Sequence, residues 1–435
     1  MKKNIILCFS MVLILMTTVS AQIAEKATFG KFALTGGTIH TVSGEVIESG
    51  IVLINGNNIE FVGTNVRITN DYTQIDVTGK HVYPGLIDAG SSLGLVEISA
   101  VPVTVDNAEI GDYNPHMRAF TAINPNSAAI PVTRVEGVTT VISSPSSGVI
   151  SGKSTLIDLY GYSPDSMAVM QDVALALNWP SIGRRGFWDQ RDDATIEEEY
   201  KKTLGTINEF WTSAIFYNKM MDEYEGNSTH KQRPTIDASM EAMRPVVNGK
   251  IPVIVQVDRE KDILAVLEWI KTRSESRFVL SSVAEGWRVA EQIAESGIAA
   301  LVGPLLRTPA REHENYQRPY QNAAILHHAG VKVAIRTGST ENVRNLPFNA
   351  GYAATYGLGK EEALRAITLN TAEIFGVSDK IGSIDVGKLA NIVVTDGDIL
   401  EAMTKVEHVF IKGFKISMSS RQTLLHDEFL NRDVN

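Results

Sequence analysis

The sequence predicts an α/β fold: a (β/α)8, TIM-like barrel with a small β-sandwich built from both ends of the chain. Three observations predict it. A long middle, roughly 84–375, alternates short apolar runs with helical patterns. The segments on either side of it are short alternating runs broken by turn dipeptides. The middle spans about 290 residues, which suits a barrel of roughly 250 residues. A doubly wound sheet is the alternative, but no Gly-x-Gly-x-x-Gly turn opens any helix.

The first 21 residues read as a processing signal. Lys2 and Lys3 form a basic start, Ile5 to Val19 an apolar stretch, and Val19-Ser20-Ala21 a small-residue cleavage site. The stretch is short for a bilayer span, which needs about 20 apolar residues, and no later segment is long enough. Cys8 lies inside the apolar stretch, so no lipid anchor is expected. The expectation is an exported chain, periplasmic or secreted, starting near Gln22. Loss of Lys2 and Lys3 takes the net charge from −10 to −12 and removes the single cysteine. Disulfides, thiolate ligands and a cysteine nucleophile are then excluded from the mature chain. The acidic balance argues against a nucleic-acid partner.

Residues 22–83 are expected to form the N-terminal part of the sandwich. In "KFALTGGTIHTVSGEVIESGIVLINGNNIEFVG", Gly-Gly, Ser-Gly and Asn-Gly mark tight turns between strands. Residues 84–378 are the expected barrel. Its candidate strands are 82–89, 137–145, 154–161, 251–258, 277–283, 298–304 and 331–338, near-continuous apolar runs suited to burial on both faces. That makes seven; the eighth is not placed between 162 and 250. A long helix is expected after Thr195, with Glu198 completing a capping box. Tyr200, Leu204, Ile207, Trp211 and Ile215 form its apolar stripe, read as core packing. Residues 379–417, with turns at Asp396-Gly397 and Lys412-Gly413, complete the sandwich, and 418–435 form a tail.

Three blocks carry a family resemblance: "GGTIHTVSGEVIESG", "HVYPGLIDAG" and "EEALRAITLNTAEIFGVSDKIGSIDVGKLANIVV". In this order they resemble the amidohydrolase superfamily, and within it the imidazolonepropionase-like exported branch, over most of residues 30–415. The resemblance implies metal-assisted hydrolysis of a non-peptide C–N bond in an amide, lactam or cyclic amidine. It also implies a divalent metal such as zinc, held by two His on the first barrel strand, His on the fifth and sixth, and an Asp on the eighth. Some members add a carboxylated Lys on the fourth. Such a metal takes imidazole and carboxylate donors and lowers the pKa of a bound water to about 7.

Carried over position by position, this chain offers Gly90 and Ser92 on the first strand and Gln256 on the fifth. The sixth offers Ser281 and Ser282, and the eighth Gly338. Ile157 or Asp158 falls at the Lys position. The expectation is therefore that no cofactor is held in this chain. Of the histidines, His116, His230 and His313 lie in loops near a barrel mouth, and for each a surface or packing role is favoured. Barrel sites sit at the carboxyl ends of the strands, which nominates Asp88, Gly90, Ser92, His116, Gln256, Ser282, Glu285, Arg336 and Gly338. Glu97, Asp258, Arg307 and the long polar loop 104–126 join them. Arg336 either holds a carboxylate or phosphate as a fork or pairs internally with Glu341 or Asp88. The serines of "SSPSSG" and "GSSLG" lack both a nucleophile-elbow pattern and a placed histidine base.

Two functions are kept open. One is an exported hydrolase of the family type with an altered site. The other is a catalytically inactive pseudoenzyme that binds a small ligand or pairs with a metal-bearing paralogue. The expected partners are a small-molecule ligand or substrate and a further chain, as a homo-oligomer or a hetero-oligomer with a paralogue. No membrane span is expected.

Overall fold

A computed structural model describes residues 26–184, 189–227 and 232–432. The expected export signal and His230 lie outside the described residues. The chain opens with β1 (Thr28–Phe29), β2 (Lys31–His40), β3 (Val46–Asn55), β4 (Asn58–Gly63), β5 (Thr73–Asp76) and β6 (His81–Pro84). Asn55 and Asn58 flank the Gly56-Asn57 turn that joins β3 to β4. The barrel strands are β7 (Leu86–Ser91), β8 (Val138–Ser143), β9 (Ile150–Asp158), β10 (Ala168–Asn178), β11 (Val253–Val257), β12 (Phe278–Ser282), β13 (Ala299–Val302) and β14 (Val333–Ile335). The chain then returns as β15 (Ile392–Thr395), β16 (Val406–Ile411) and β17 (Phe414–Lys415).

Strands from both ends share one nine-stranded sheet, ordered β1-β17-β16-β15-β6-β2-β3-β4, with β5 beside β2. The junction is β15 against β6, where Ile392 faces Pro84 and Thr395 faces His81. One apolar cluster of this sheet joins Phe32, Leu34, Val52 and Ile54 to Ile392, Val394 and Phe410. The other side carries a smaller cluster of Ala33, Leu53 and Tyr72. Alternation along β2 and β3 sends successive side chains to opposite faces and so generates both clusters.

The second sheet runs β7 to β14 in chain order and curls into a nearly closed barrel. Strands β7, β8, β9, β12 and β14 are buried at every residue, as expected of strands covered on both faces. Inside, Ile87, Ala89, Ile142, Leu156, Ala174, Ile254, Val279, Leu301 and Ala334 form the apolar filling. The ends of the curl, β7 and β14, meet through backbone and side-chain bonds. Gly338 N–H donates to the Gly90 carbonyl at 3.0 Å, and Thr337 N–H donates to Asp88 Oδ1 at 3.2 Å.

The strand missing from the sequence reading is β10. It follows β9 as an antiparallel partner, separated from it by the short capped helix Pro164–Met167. β9 is antiparallel to both neighbours, whereas β7–β8 and β10 through β14 pair in parallel. This corrects the placement of Ile157 and Asp158. The fourth strand in order is β10, and β9 runs against the others, so Asp158 ends at the face opposite the mouth. There it accepts from Thr140 Oγ1 at 2.7 Å and Asn391 Nδ2 at 2.8 Å.

The long helix spans Asp193–Gly226, starting three residues earlier than expected. Its cap is Asp192, whose Oδ1 accepts from Thr195 N–H at 2.7 Å, rather than Thr195 itself. Ile207 and Trp211 are buried as core, while Ile215 is exposed and the covered face continues through Ala214 and Met221. Trp211 meets Trp269 edge to face at 5.3 Å, the geometry aromatic pairs favour. Among the described residues, no helix is long and apolar enough to cross a membrane.

Candidate functional site

Period-two alternation builds the site. On β11, β12 and β14 the inward residues Ile254, Val279 and Ala334 belong to the barrel filling. Two positions further on, toward the carboxyl ends, stand Gln256, Ser281 and Arg336. They meet: Arg336 Nη1 donates to Gln256 Oε1 at 2.5 Å and to Ser281 Oγ at 2.6 Å. Above this layer lies a cavity of about 320 Å³. Gly90, Ser92, Ser144, Ser146, Asn178 and Gly338 are among its walls, with Ala89, Ala176 and Ile254 as its apolar part.

Gly90 makes the layer possible. A Cβ there would stand 3.2 Å from Arg336 Nε, so any side chain at 90 would press on the guanidinium. Gly338 adopts φ +86°, a left-handed backbone that glycine takes without a steric cost. That turn lets its N–H reach Gly90. Ser92 is held from the same side: its Oγ accepts from Thr340 N–H at 3.2 Å and lies 3.1 Å from Thr340 Oγ1.

Asp88 is fully buried on the other face of β7 from Ala89. It accepts from Gly90 N–H at 2.9 Å and from the Thr337 amide and hydroxyl. Burial pushes its carboxyl up to about 6, although the Thr337 and Gly90 donors oppose the rise. It therefore fastens the barrel seam and does not face the cavity. Burial also draws the Arg336 guanidinium below its ordinary range, opposed by the charges of Asp88 and Asp258. It remains a cation, because arginine does not deprotonate in proteins.

The other nominated residues lie apart. Ser282 turns away from the axis with φ +75° and donates to Asp258 Oδ1 at 2.6 Å; its neighbour Ser281 is the serine that faces the mouth. Glu285 is held by Arg311 at 2.6 and 2.9 Å and accepts from Glu260 N–H at 2.9 Å. Burial works against its charge, and Arg311 with the Glu260 amide outweighs it, leaving the carboxyl below its usual range. His116 is exposed, with Nδ1 3.2 Å from Ser239 Oγ. Residues 113–118 run along the flank of β9, with bridges Tyr113–Ile150 and Arg118–Lys153. That pairing carries His116 away from the mouth. His313 is exposed too. Glu97 accepts from Asn124 Nδ2 at 3.1 Å and so braces the loop. Arg336 makes no ion pair with Glu341 or Asp88 among the described residues.

Ser144, Ser146 and Asn178 line the cavity without having been nominated for it, and Asn107 reaches it from the nominated loop 104–126. The "SSPSSG" run at the end of β8 was a usable signal for the serines. Asn178 ends the unplaced strand, so nothing local pointed to it. Among the described residues, no three His, Cys, Asp or Glu side chains converge where they could hold a metal ion.

A barrel with its polar layer at the carboxyl ends of the strands, joined to a sheet from both chain ends, defines the class of protein. Residues 199–415 match the model of the amidohydrolase family. An imidazolonepropionase of Syntrophobacter fumaroxidans is 37% identical over 109 residues, covering 24% of each chain. One from Bacteroides fragilis is 34% identical over 113 residues, 25% of each chain. The matched stretch thus spans about a quarter of the length of these curated relatives. The crystal structure of an amidohydrolase from Thermotoga maritima MSB8 is 25% identical, with a TM-score of 0.76 over 88% of this chain and 99% of that one. The chain belongs to the amidohydrolase superfamily, in its imidazolonepropionase-like branch.

Proposed function

We propose that this chain is an exported amidohydrolase-superfamily protein that takes a small polar molecule into its barrel mouth and does not carry out metal-assisted hydrolysis by itself. One observation carries the reading: the guanidinium of Arg336 lies in the inward layer, bonded to Gln256 and Ser281 and packed against Gly90. A divalent metal of the family's kind needs imidazole and carboxylate donors. Hydroxyls, an amide and two glycines are poor donors for it, and a fixed positive charge in the same layer repels it. The residues present do not fit the metal, so no catalytic step is derived through it.

The expected result is that the purified protein, incubated with zinc or manganese and desalted, retains well under one metal ion per chain by elemental analysis. It should also leave amide, lactam and cyclic-amidine substrates unhydrolysed with and without added metal. Stoichiometric metal together with turnover would overturn the reading.

The second reading is hydrolysis of a non-peptide C–N bond, as in the family at large. The match to imidazolonepropionases and the likeness to the Thermotoga amidohydrolase favour it. The same turnover measurement decides between the two.

A further inference from the structure

We propose that the mouth cavity binds a small carboxylate, anchored on Arg336 by the edge of the guanidinium that its protein neighbours leave unpaired. The proposal rests on the reading above, in that it takes the mouth to be organised around a guanidinium rather than a metal.

A buried cation is costly unless it is paired and fully hydrogen-bonded. The acceptors on Arg336 are both neutral, Gln256 Oε1 and Ser281 Oγ, and both take Nη1. Nε is buried without a partner. The neighbouring carboxylates are otherwise engaged. Asp88 accepts from Gly90 and Thr337. Asp258 accepts from Ser282 Oγ and from Ala284 N–H at 3.3 Å. No ion pair joins Arg336 to any described residue. Arg336 is also the one charged side chain lining the cavity among the described residues.

Nε and Nη2 form one edge of the planar fork, the edge that a carboxylate meets with two parallel bonds. Nε faces Gly90, and the position of a Cβ on Gly338 is 3.8 Å from Nη2. Two glycines therefore flank the unpaired edge. The remaining walls offer serine hydroxyls and asparagine amides over a small apolar part. A volume of about 320 Å³ is at the small end for ligand pockets. This suits a short molecule with one carboxylate and an uncharged polar body. A planar carboxylate matches the two-donor edge with one charge, whereas the larger charge of a tetrahedral phosphate would find no second cation on these walls among the described residues.

The test titrates acetate, propionate and N-acetylglycine into the full mature chain, with chelator present and ionic strength fixed, following melting temperature and binding heat. N-acetylglycinamide serves as the uncharged control, and inorganic phosphate as the alternative anion. At least one carboxylate should bind and raise the melting temperature, with the amide at least about tenfold weaker. Arg336→Gln should abolish the difference between acid and amide. Gly90→Ala, whose backbone is not left-handed, should fold normally and bind the acid at least about tenfold more weakly. The proposal is overturned if none of the carboxylates binds, or if acid and amide bind alike. It is equally overturned if phosphate binds and the carboxylates do not, or if Gly90→Ala leaves acid binding unchanged. Because the titration is done in chelator, metal and turnover found separately would sink the proposed function without deciding this result.

Discussion

Asp88, fully buried, and Arg336, half-buried, are groups of opposite sign that the fold keeps out of contact, and each does a different job. Asp88 ties β7 to Thr337 and Gly338, while Arg336 ties β14 to Gln256 and Ser281. Because the Asp88 carboxyl is raised to about 6 from an ordinary 3.8, protonation favours the folded state. Its contribution is fully present below about pH 4 and lost as pH rises through 6, by roughly 3 kcal/mol for two units. Asp88→Asn removes this term. Melting curves from pH 4 to 7 should show the wild type losing stability relative to Asp88→Asn across that window. Parallel curves would mean that Asp88 is ionised throughout.

At the scale of elements, the reversed strand β9 is anchored by its far end. Asp158 is fully buried there, and Lys412, in the β16–β17 turn, lies 3.4 Å from Oδ2. Burial raises the Asp158 carboxyl, and Lys412 opposes that rise. Lys412 Nζ also donates to the Ser166 carbonyl at 3.0 Å, gripping the link between β9 and β10. Removing one partner of a buried pair leaves the other charge uncompensated, so Lys412→Met should cost about 3 kcal/mol. Urea unfolding measures it; a loss under about 1 kcal/mol would show that Asn391 and Thr140 suffice for Asp158. The aromatic group on the other side is a second anchor. Trp269 contacts Trp179, Trp211 and Phe278 and donates to Asn208 Oδ1 at 2.8 Å. Trp269→Ala should cost about 3–5 kcal/mol in the same experiment.

The apolar runs of the parallel strands were legible because burial on both faces leaves a continuous signature. β10 was not, since "AVMQDVALALN" places Gln171 and Asp172 in its first half. Those residues face Arg118 at 2.9 and 2.7 Å, outside the barrel. Strand direction was not legible either: β9 reads the same whether it runs with its neighbours or against them. In the site, Gln256 and Gly338 could be nominated from their strand ends. Ser281 and Ser282 could not be told apart, because a left-handed turn at Ser282 decides which of them faces the mouth.

For the whole molecule, the joint between the sheet and the barrel is the place where pH acts in the opposite sense. His40 on β2 stacks on Tyr83 at 4.2 Å and shares a 2.9 Å contact between its Nε2 and His81 Nδ1. Burial, helped by His81, lowers His40 to about 4. A depressed histidine favours the folded state when neutral, so its contribution is present above pH 6.5 and lost as pH falls toward 4. Asp88 gains over nearly the same range, and the two offset each other. His40→Phe keeps a ring against Tyr83 and should leave the Asp88 gain uncompensated, so that stability rises as pH falls, whereas Asp88→Asn should leave the His40 loss, so that stability drops. Thermal melts of both variants from pH 4 to 7 check this; equal slopes would sink the account. The joint also binds the two chain ends, since β15 lies between β6 and β16. A chain ending at residue 382 would uncover Val82 and Leu34, and is expected to be insoluble on expression.

Local pattern determined the strand runs, the helix faces, the order of the blocks and the identity of the residues at each strand end, because burial periodicity and turn chemistry act over a few neighbours. Which of those residues meet was decided only in three dimensions. Arg336 finds Gln256 and Ser281 from strands 55 to 80 residues away, and β9 is reversed by pairing rather than by composition. The unpaired edge of a guanidinium between two glycines is a property of the closed barrel. It depends on the inward turn of β14 and on the missing side chains at 90 and 338 coming together, which no single stretch of sequence contains.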